Sequence, residues 1–125
     1  MDKIVSIKNL TIEFNRNIEV VKNVNIDVIK GKTTAIVGES GSGKTLSALS
    51  VLNLLPNGAK IKNGNIFFNN VNLLKLNESE IQKIRGNKIS TIFQEPMTSL
   101  NPLHTINKQI EEIITTHNII SKIDA

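Results

Sequence analysis

The sequence predicts an α/β fold, and three observations predict it. Thr33-Thr34-Ala35-Ile36-Val37 is a short apolar run without polar alternation, as expected for a strand covered on both faces in a parallel sheet. A glycine-rich loop, Gly38–Thr45, follows at once, and Leu46, Leu49 and Leu52 or Asn53 then recur at helical spacing over 46–55. Upstream, Val24, Ile26 and Val28 alternate with polar residues, the pattern of a half-buried antiparallel strand.

Taken in order, Ile4–Phe14 is rich in β-branched residues and predicts an opening strand, closed by the turn cluster Asn15-Arg16-Asn17. Val20–Ile29 predicts the second strand, and Lys30-Gly31-Lys32 a tight turn. Pro56-Asn57-Gly58 ends the helix that follows the glycine-rich loop. Asn63-Gly64 and Asn69-Asn70 are expected as turns flanking a strand at Asn65–Phe68. Leu76–Glu80 opens another helix, with Asn77 as its cap and acids in the first turn, running to about Arg85 and stopping at Gly86. Ile89–Phe93 is strand-like. After the loop 94–105, Ile106, Ile110, Ile113, Ile114 and His117 mark one face of an amphipathic helix.

The 125 residues suffice for one domain with its own core. The net charge of +4 comes from scattered lysines, with no basic run and no Tyr or Trp on which bases could stack, so nucleic acid is not expected as a partner. There is no cysteine, hence no disulfide framework or thiolate metal site. The first residues lack the apolar core of a signal peptide, and no stretch has the length of a membrane span. A cytoplasmic chain that reaches a membrane only through a partner is expected.

Gly38-Glu39-Ser40-Gly41-Ser42-Gly43-Lys44-Thr45 matches G-x-x-x-x-G-K-[ST] at every fixed position. Glycines permit backbone angles that let successive N–H groups turn around an anion. The helix that starts there adds its unpaired N–H groups and the positive end of its dipole. Lys44 would reach the β- and γ-phosphates, and the Thr45 hydroxyl would ligate Mg²⁺. The motif and its setting predict a P-loop NTPase core that binds a nucleoside triphosphate, ATP with Mg²⁺.

The text around the loop narrows the choice. Leu10–Phe14, Val24–Lys32 and Gly38–Thr45 together resemble the N-terminal part of an ABC ATPase domain. Ile92-Phe93-Gln94-Glu95-Pro96-Met97-Thr98-Ser99-Leu100-Asn101-Pro102 resembles the glutamine-loop segment of peptide importers. With Ser47–Ser50 and Leu103–Ile106, the resemblance is to the tandem-domain ATPases of microcin C and oligopeptide uptake, over about residues 4–120.

The resemblance implies an N-terminal antiparallel β subdomain (about 1–32 and 61–75), a phosphate-loop strand and helix (33–56), a strand and glutamine loop (89–105), and the start of a helical subdomain (106–120). It implies that Gln94 meets Mg²⁺ and the attacking water, making Gln94 and Lys44 the catalytic candidates and Thr45 and Gln94 the metal candidates. Phe14 falls where the family sets an aromatic ring under adenine, against the alternative of a core residue ending a strand. Met97–Thr105, within the 94–105 loop, resembles the surface that receives membrane permease subunits. A second ABC ATPase domain, in the same chain or a partner, would complete the site.

His104 and His117 lack cysteine or clustered carboxylates at ligand spacing and are not read as metal ligands. Glu95 is not read as the general base, which the family places after a later aspartate. Nothing after Ile106 resembles the LSGGQ signature, and no apolar strand ends in Asp-Glu. The sequence is therefore expected to be a truncated, incomplete domain, inactive in hydrolysis and marginally stable alone. Two alternatives stand beside the importer ATPase: a non-transport ABC-type ATPase, and a nucleotide-binding fragment without catalysis.

Overall fold

The computed structural model describes residues 2–15, 17–95 and 100–117. It divides into two compact units, Met1–Ile81 and Gln82–Ala125.

The first unit is built on a four-stranded antiparallel sheet in the order β2-β1-β3-β4. β1 (Lys3–Phe14) and β2 (Ile18–Ile29) form a long hairpin, and β3 (Ala59–Phe68) pairs along the other edge of β1. β3 turns through Asn69 and Asn70, both at positive φ, into the two-residue β4 (Val71–Asn72). Left-handed conformation at both central positions is what a tight hairpin turn needs, and asparagine tolerates it. The opening strand, the hairpin, the Lys30–Lys32 turn and the Asn69-Asn70 turn thus follow the sequence pattern. Arg16 lies outside the described residues.

The core sits under β1. Leu10, Ile12 and Ile66 are fully buried, joined by Ile7, Val21, Leu52, Leu73 and Ile81. Each such side chain contributes roughly 1.5–3 kcal/mol on leaving water. Asn63-Gly64, expected as a turn, instead lies inside β3. The local signal was real but marks a bulge: Gly64 stands between the Lys8↔Asn65 and Thr11↔Asn63 pairs, where the register shifts. Asn9 (φ 51) and Asn23 (φ 48) sit at neighbouring irregularities of β1 and β2.

Ion pairs line the sheet. Glu13, nearly buried, meets Lys60 at 3.0 Å, and Glu19 meets Lys62 at 2.7 Å. Asp27 accepts from Ser6 Oγ at 2.6 Å and pairs with Lys3 at 2.7 Å. The Lys3 ammonium and then the Ser6 hydroxyl hold the Asp27 carboxyl below its ordinary value of 3.8. A carboxyl depressed in the folded state adds stability above its unfolded pKa and loses it as pH falls through the lower folded value. Asp27→Asn should therefore flatten the loss of stability below about pH 4. Urea melts across that range check this, and an unchanged acid slope would dismiss the contribution.

α1 (Lys44–Val51) is shorter than the helix expected over 46–55. Asn53, at φ 53, ends it: Asn53 N–H donates to Ser50 O and Leu54 N–H to Leu49 O, the paired closure of a left-handed C-terminus. Its most buried residues besides the terminal Leu52 are Ser47 and Ser50, whose hydroxyls bond back to Gly43 O and Ser47 O. α2 (Glu78–Gln82) begins with the expected cap: Glu80 N–H donates to Asn77 Oδ1 at 3.0 Å and Asn77 N–H to Glu80 Oε2 at 2.8 Å. It stops three residues short of Arg85.

Two expected strands are absent among the described residues. Thr33–Val37 carries no ladder, and Val37 is 88% exposed. Ile89–Phe93 contributes only the Arg85↔Ile89 bridge, with Ile92 fully exposed. A strand is defined by its neighbours, and neither run has a ladder partner among the described residues.

In the second unit α3 (Ile106–His117) forms as the periodicity predicts. Its marked face is largely open, with Ile106, Ile110 and Ile113 exposed. Within this unit His117 closes on the turn at Gly86 (φ 75), where an added Cβ would lie 3.0 Å from His117 Nε2.

Candidate nucleotide-binding site

Residues 38–45 wrap rather than extend. Gly41 (φ 78) and Gly43 (φ 84) take left-handed backbone angles, and Ser42 N–H donates to Glu39 O at 3.3 Å. α1 begins directly from the loop, with Ser47 N–H donating to Gly43 O at 2.9 Å. Lys44 Nζ curls back over the loop, donating to Gly38 O (2.7 Å), Glu39 O (2.6 Å) and Ser42 Oγ (3.2 Å). One ammonium thereby ties the loop's beginning to its end and keeps the charge over the bend.

One glycine of the loop is fixed by close approach to backbone, and another is crowded only by a rotatable hydroxyl. A Cβ on Gly38 would lie 2.8 Å from Ser42 Oγ. A Cβ on Gly43 would lie 2.7 Å from Val21 Cγ2 and 2.8 Å from the Val20 carbonyl oxygen. β2 therefore backs the loop directly, a role for Val20 and Val21 that strand periodicity alone does not announce. Thr45 is exposed in the first turn of α1. A hollow of about 160 Å³ is lined by Gly41–Leu46. A larger one, about 450 Å³, lies at Asp2–Ile4, Lys30, Asn69 and Asn70, but its Lys3 is already committed to Asp27.

These features fit an anion with several oxygens. The helix start supplies N–H groups without helical partners, and Lys44 can exchange carbonyl partners for phosphate oxygens. The exposed Thr45 hydroxyl suits a hard cation such as Mg²⁺. Glu39, Ser40 and Ser42 complete the loop.

Phe14 ends β1, opposite Ile18 and Ala59, and is half-buried. Its ring rests against the turn at Gly58, where a Cβ would lie 3.5 Å from Phe14 Cζ, and Asn15 N–H donates to Gly58 O at 3.0 Å. Gln94 is exposed and belongs to the second unit. Of the 94–105 loop, residues 96–99 lie outside the described residues. Its later part, 101–104, is tied to α3 by Gln109, whose Nε2 donates to Asn101 O and His104 O and whose Oε1 accepts from Asn101 N–H. The amphipathic pattern of α3 did not mark Gln109; its position four residues after the helix-capping Thr105 is the only sequence signal. His104 lies 3.4 Å from Lys108 Nζ, and no cluster of three metal-ligating side chains occurs among the described residues.

The family model described as ABC transporter matches residues 21–125, from within β2 through the loop and beyond. The chain belongs to the ABC transporter family. Among its relatives, this ABC protein is 47% identical over 99% of its length to a dipeptide transport ATP-binding protein, DppD, of Lactococcus lactis, of which it covers 37%. It is 43% identical to the oligopeptide transport ATP-binding protein AppD of Bacillus subtilis over its whole length, covering 39% of that relative. The fold agrees. A solved ATP-binding cassette, captured as a dimer in a post-hydrolysis state with ADP and Pi, superposes with a TM-score of 0.76 at 29% identity. That match covers 94% of this chain and 49% of the cassette. No helix among the described residues is long and apolar enough to cross a membrane.

Proposed function

We propose that the chain is the ATP-binding part of the energy-coupling subunit of a peptide-type ABC importer. The observation that carries this is the loop 38–45, wrapped and closed by Lys44, in a chain whose relatives are named for dipeptide and oligopeptide transport. In this reading Gly38, Glu39, Ser40, Gly41, Ser42 and Gly43 hold the triphosphate by their backbone. Lys44 would neutralise the β- and γ-phosphates, and Thr45 and Gln94 are the candidate ligands for Mg²⁺, which would supply charge compensation and polarise the γ-phosphoryl group. Gln94 also orients water. Adenine stacks on the half-buried ring of Phe14, whose Cζ end is steadied by the turn at Gly58. The 94–105 loop meets permease subunits, and a second ABC domain supplies the facing half of the site, placing the assembly on the cytoplasmic side of a membrane.

Two measurements test this. Phe14→Ala should weaken ATP by about tenfold, equivalent to the upper part of the 0.5–1.5 kcal/mol range for aromatic stacking, and leave inorganic tripolyphosphate binding unchanged. Calorimetric titration of both ligands decides it; equal losses, or none, would remove Phe14 from the base site. Co-expression with the membrane subunits of a peptide permease should retain the chain on the purified complex. Binding of ATP without retention by any such permease would favour a non-transport ABC ATPase instead.

A further inference from the structure

The Asn63-Gly64 step of β3, which faces the β1 bulge at Asn9-Leu10, carries a chemical feature unrelated to nucleotide binding. Gly64 N–H donates to Asn63 Oδ1 at 2.8 Å, a bond between the side-chain amide of one residue and the backbone nitrogen of the next. A nitrogen held at that distance from Oδ1 sits beside the carbonyl carbon that bears it. The pair is at the register shift opposite Asn9 and Leu10, and Asn63 is exposed to water. Gly64 has φ +114 and no Cβ to obstruct approach, whereas a Cβ there would lie 2.7 Å from Leu10 Cα.

We propose that Asn63 is a site of spontaneous deamidation that the folded sheet promotes. Hydroxide removes the Gly64 amide proton, and the nitrogen then forms a bond to Asn63 Cγ. The Cγ–Nδ2 bond breaks and ammonia leaves with a proton from solvent. Water opens the resulting five-membered imide at either carbonyl, giving aspartate or isoaspartate. The balance is amide plus water to carboxylic acid plus ammonia, with no oxidant or reductant. The fold contributes proximity, holding nucleophile and carbonyl together that a flexible chain must bring together by chance. The isoaspartyl product lengthens the β3 backbone by one methylene at its tightest approach to β1, so conversion loosens the β1–β3 pairing.

Asn57-Gly58 supplies an internal comparison: the same dipeptide, exposed in a turn, with no Gly58 N–H to Asn57 Oδ1 bond among the described residues. The 125-residue chain is incubated in mildly alkaline buffer, with and without denaturing urea, and both sites are followed by peptide mass spectrometry with isoaspartate detection. The Asn63-to-Asn57 rate ratio should be about tenfold higher in the folded chain than in urea, a small part of what fixed proximity contributes elsewhere. Asn63→Gln, whose extra methylene disfavours the ring, should abolish the signal at that site. A ratio no higher when folded than in urea would overturn the proposal, as would undiminished modification at position 63 in the glutamine variant.

Discussion

Lys44→Ala should remove most of the stabilisation that ATP is proposed to give the chain. With ATP at about 100 times its Kd, a protein that binds only when folded gains about 2.7 kcal/mol. The ammonium's present partners, Gly38 O, Glu39 O and Ser42 Oγ, lie in an exposed loop where water can replace it. Stability without ligand should therefore change by no more than about 0.5 kcal/mol. A hydrogen bond from a charged group is worth about 1.5–3 kcal/mol, so ATP affinity should fall by one to two orders of magnitude. Thermal melts with and without MgATP separate the two quantities. If the ATP-induced shift survives in full, the loop does not hold the phosphates and the proposed function falls with it.

Gly43→Ala should be the most damaging single methyl in the loop. Its backbone is left-handed, which costs an L-residue about 1–2 kcal/mol. The methyl would also press on Val21 Cγ2 at 2.7 Å and on the Val20 carbonyl oxygen at 2.8 Å. Val21 is buried, so the loop must lift from β2. A total loss of about 2–4 kcal/mol follows, together with the ATP response, because the start of α1 moves with the loop. Gly41→Ala is the control. It shares the left-handed backbone at φ 78 but has open space around it, so only the backbone cost of about 1–2 kcal/mol applies. Urea melts of the two variants compare them directly; equal losses would mean that β2 does not set the loop's position.

The bend of the loop 38–45, the β1–β2 hairpin, the Asn77 cap and α3 are all legible because each is encoded within a few residues. Gly43 needs only its own backbone angle and the helix after it, and Asn77 needs only Glu80. Thr33–Val37 and Ile89–Phe93 read as strands from their apolar, β-branched content. Strand formation also requires a neighbour, which that content does not provide. Asn63-Gly64 reads as a turn because positive φ serves both turns and the residues facing a bulge, and only the flanking β1 register separates them. The end of α1 was placed at Pro56, although Asn53 had already taken the left-handed conformation that closes it. Phe14 was correctly set at the end of a strand, but its support by Gly58 is a long-range contact without a sequence pattern.

The irregularities at Asn23, Asn9 and Gly64 fall at one level on three adjacent strands, so they act as a single crease running across the sheet. A bulge bends its strand, so any curvature there belongs to the three strands jointly. A β-branched side chain at one point would resist the left-handed backbone there while the neighbouring strands kept theirs. The energetic penalties of substituting these residues are consequently coupled, and a double change should depart from the sum of its parts.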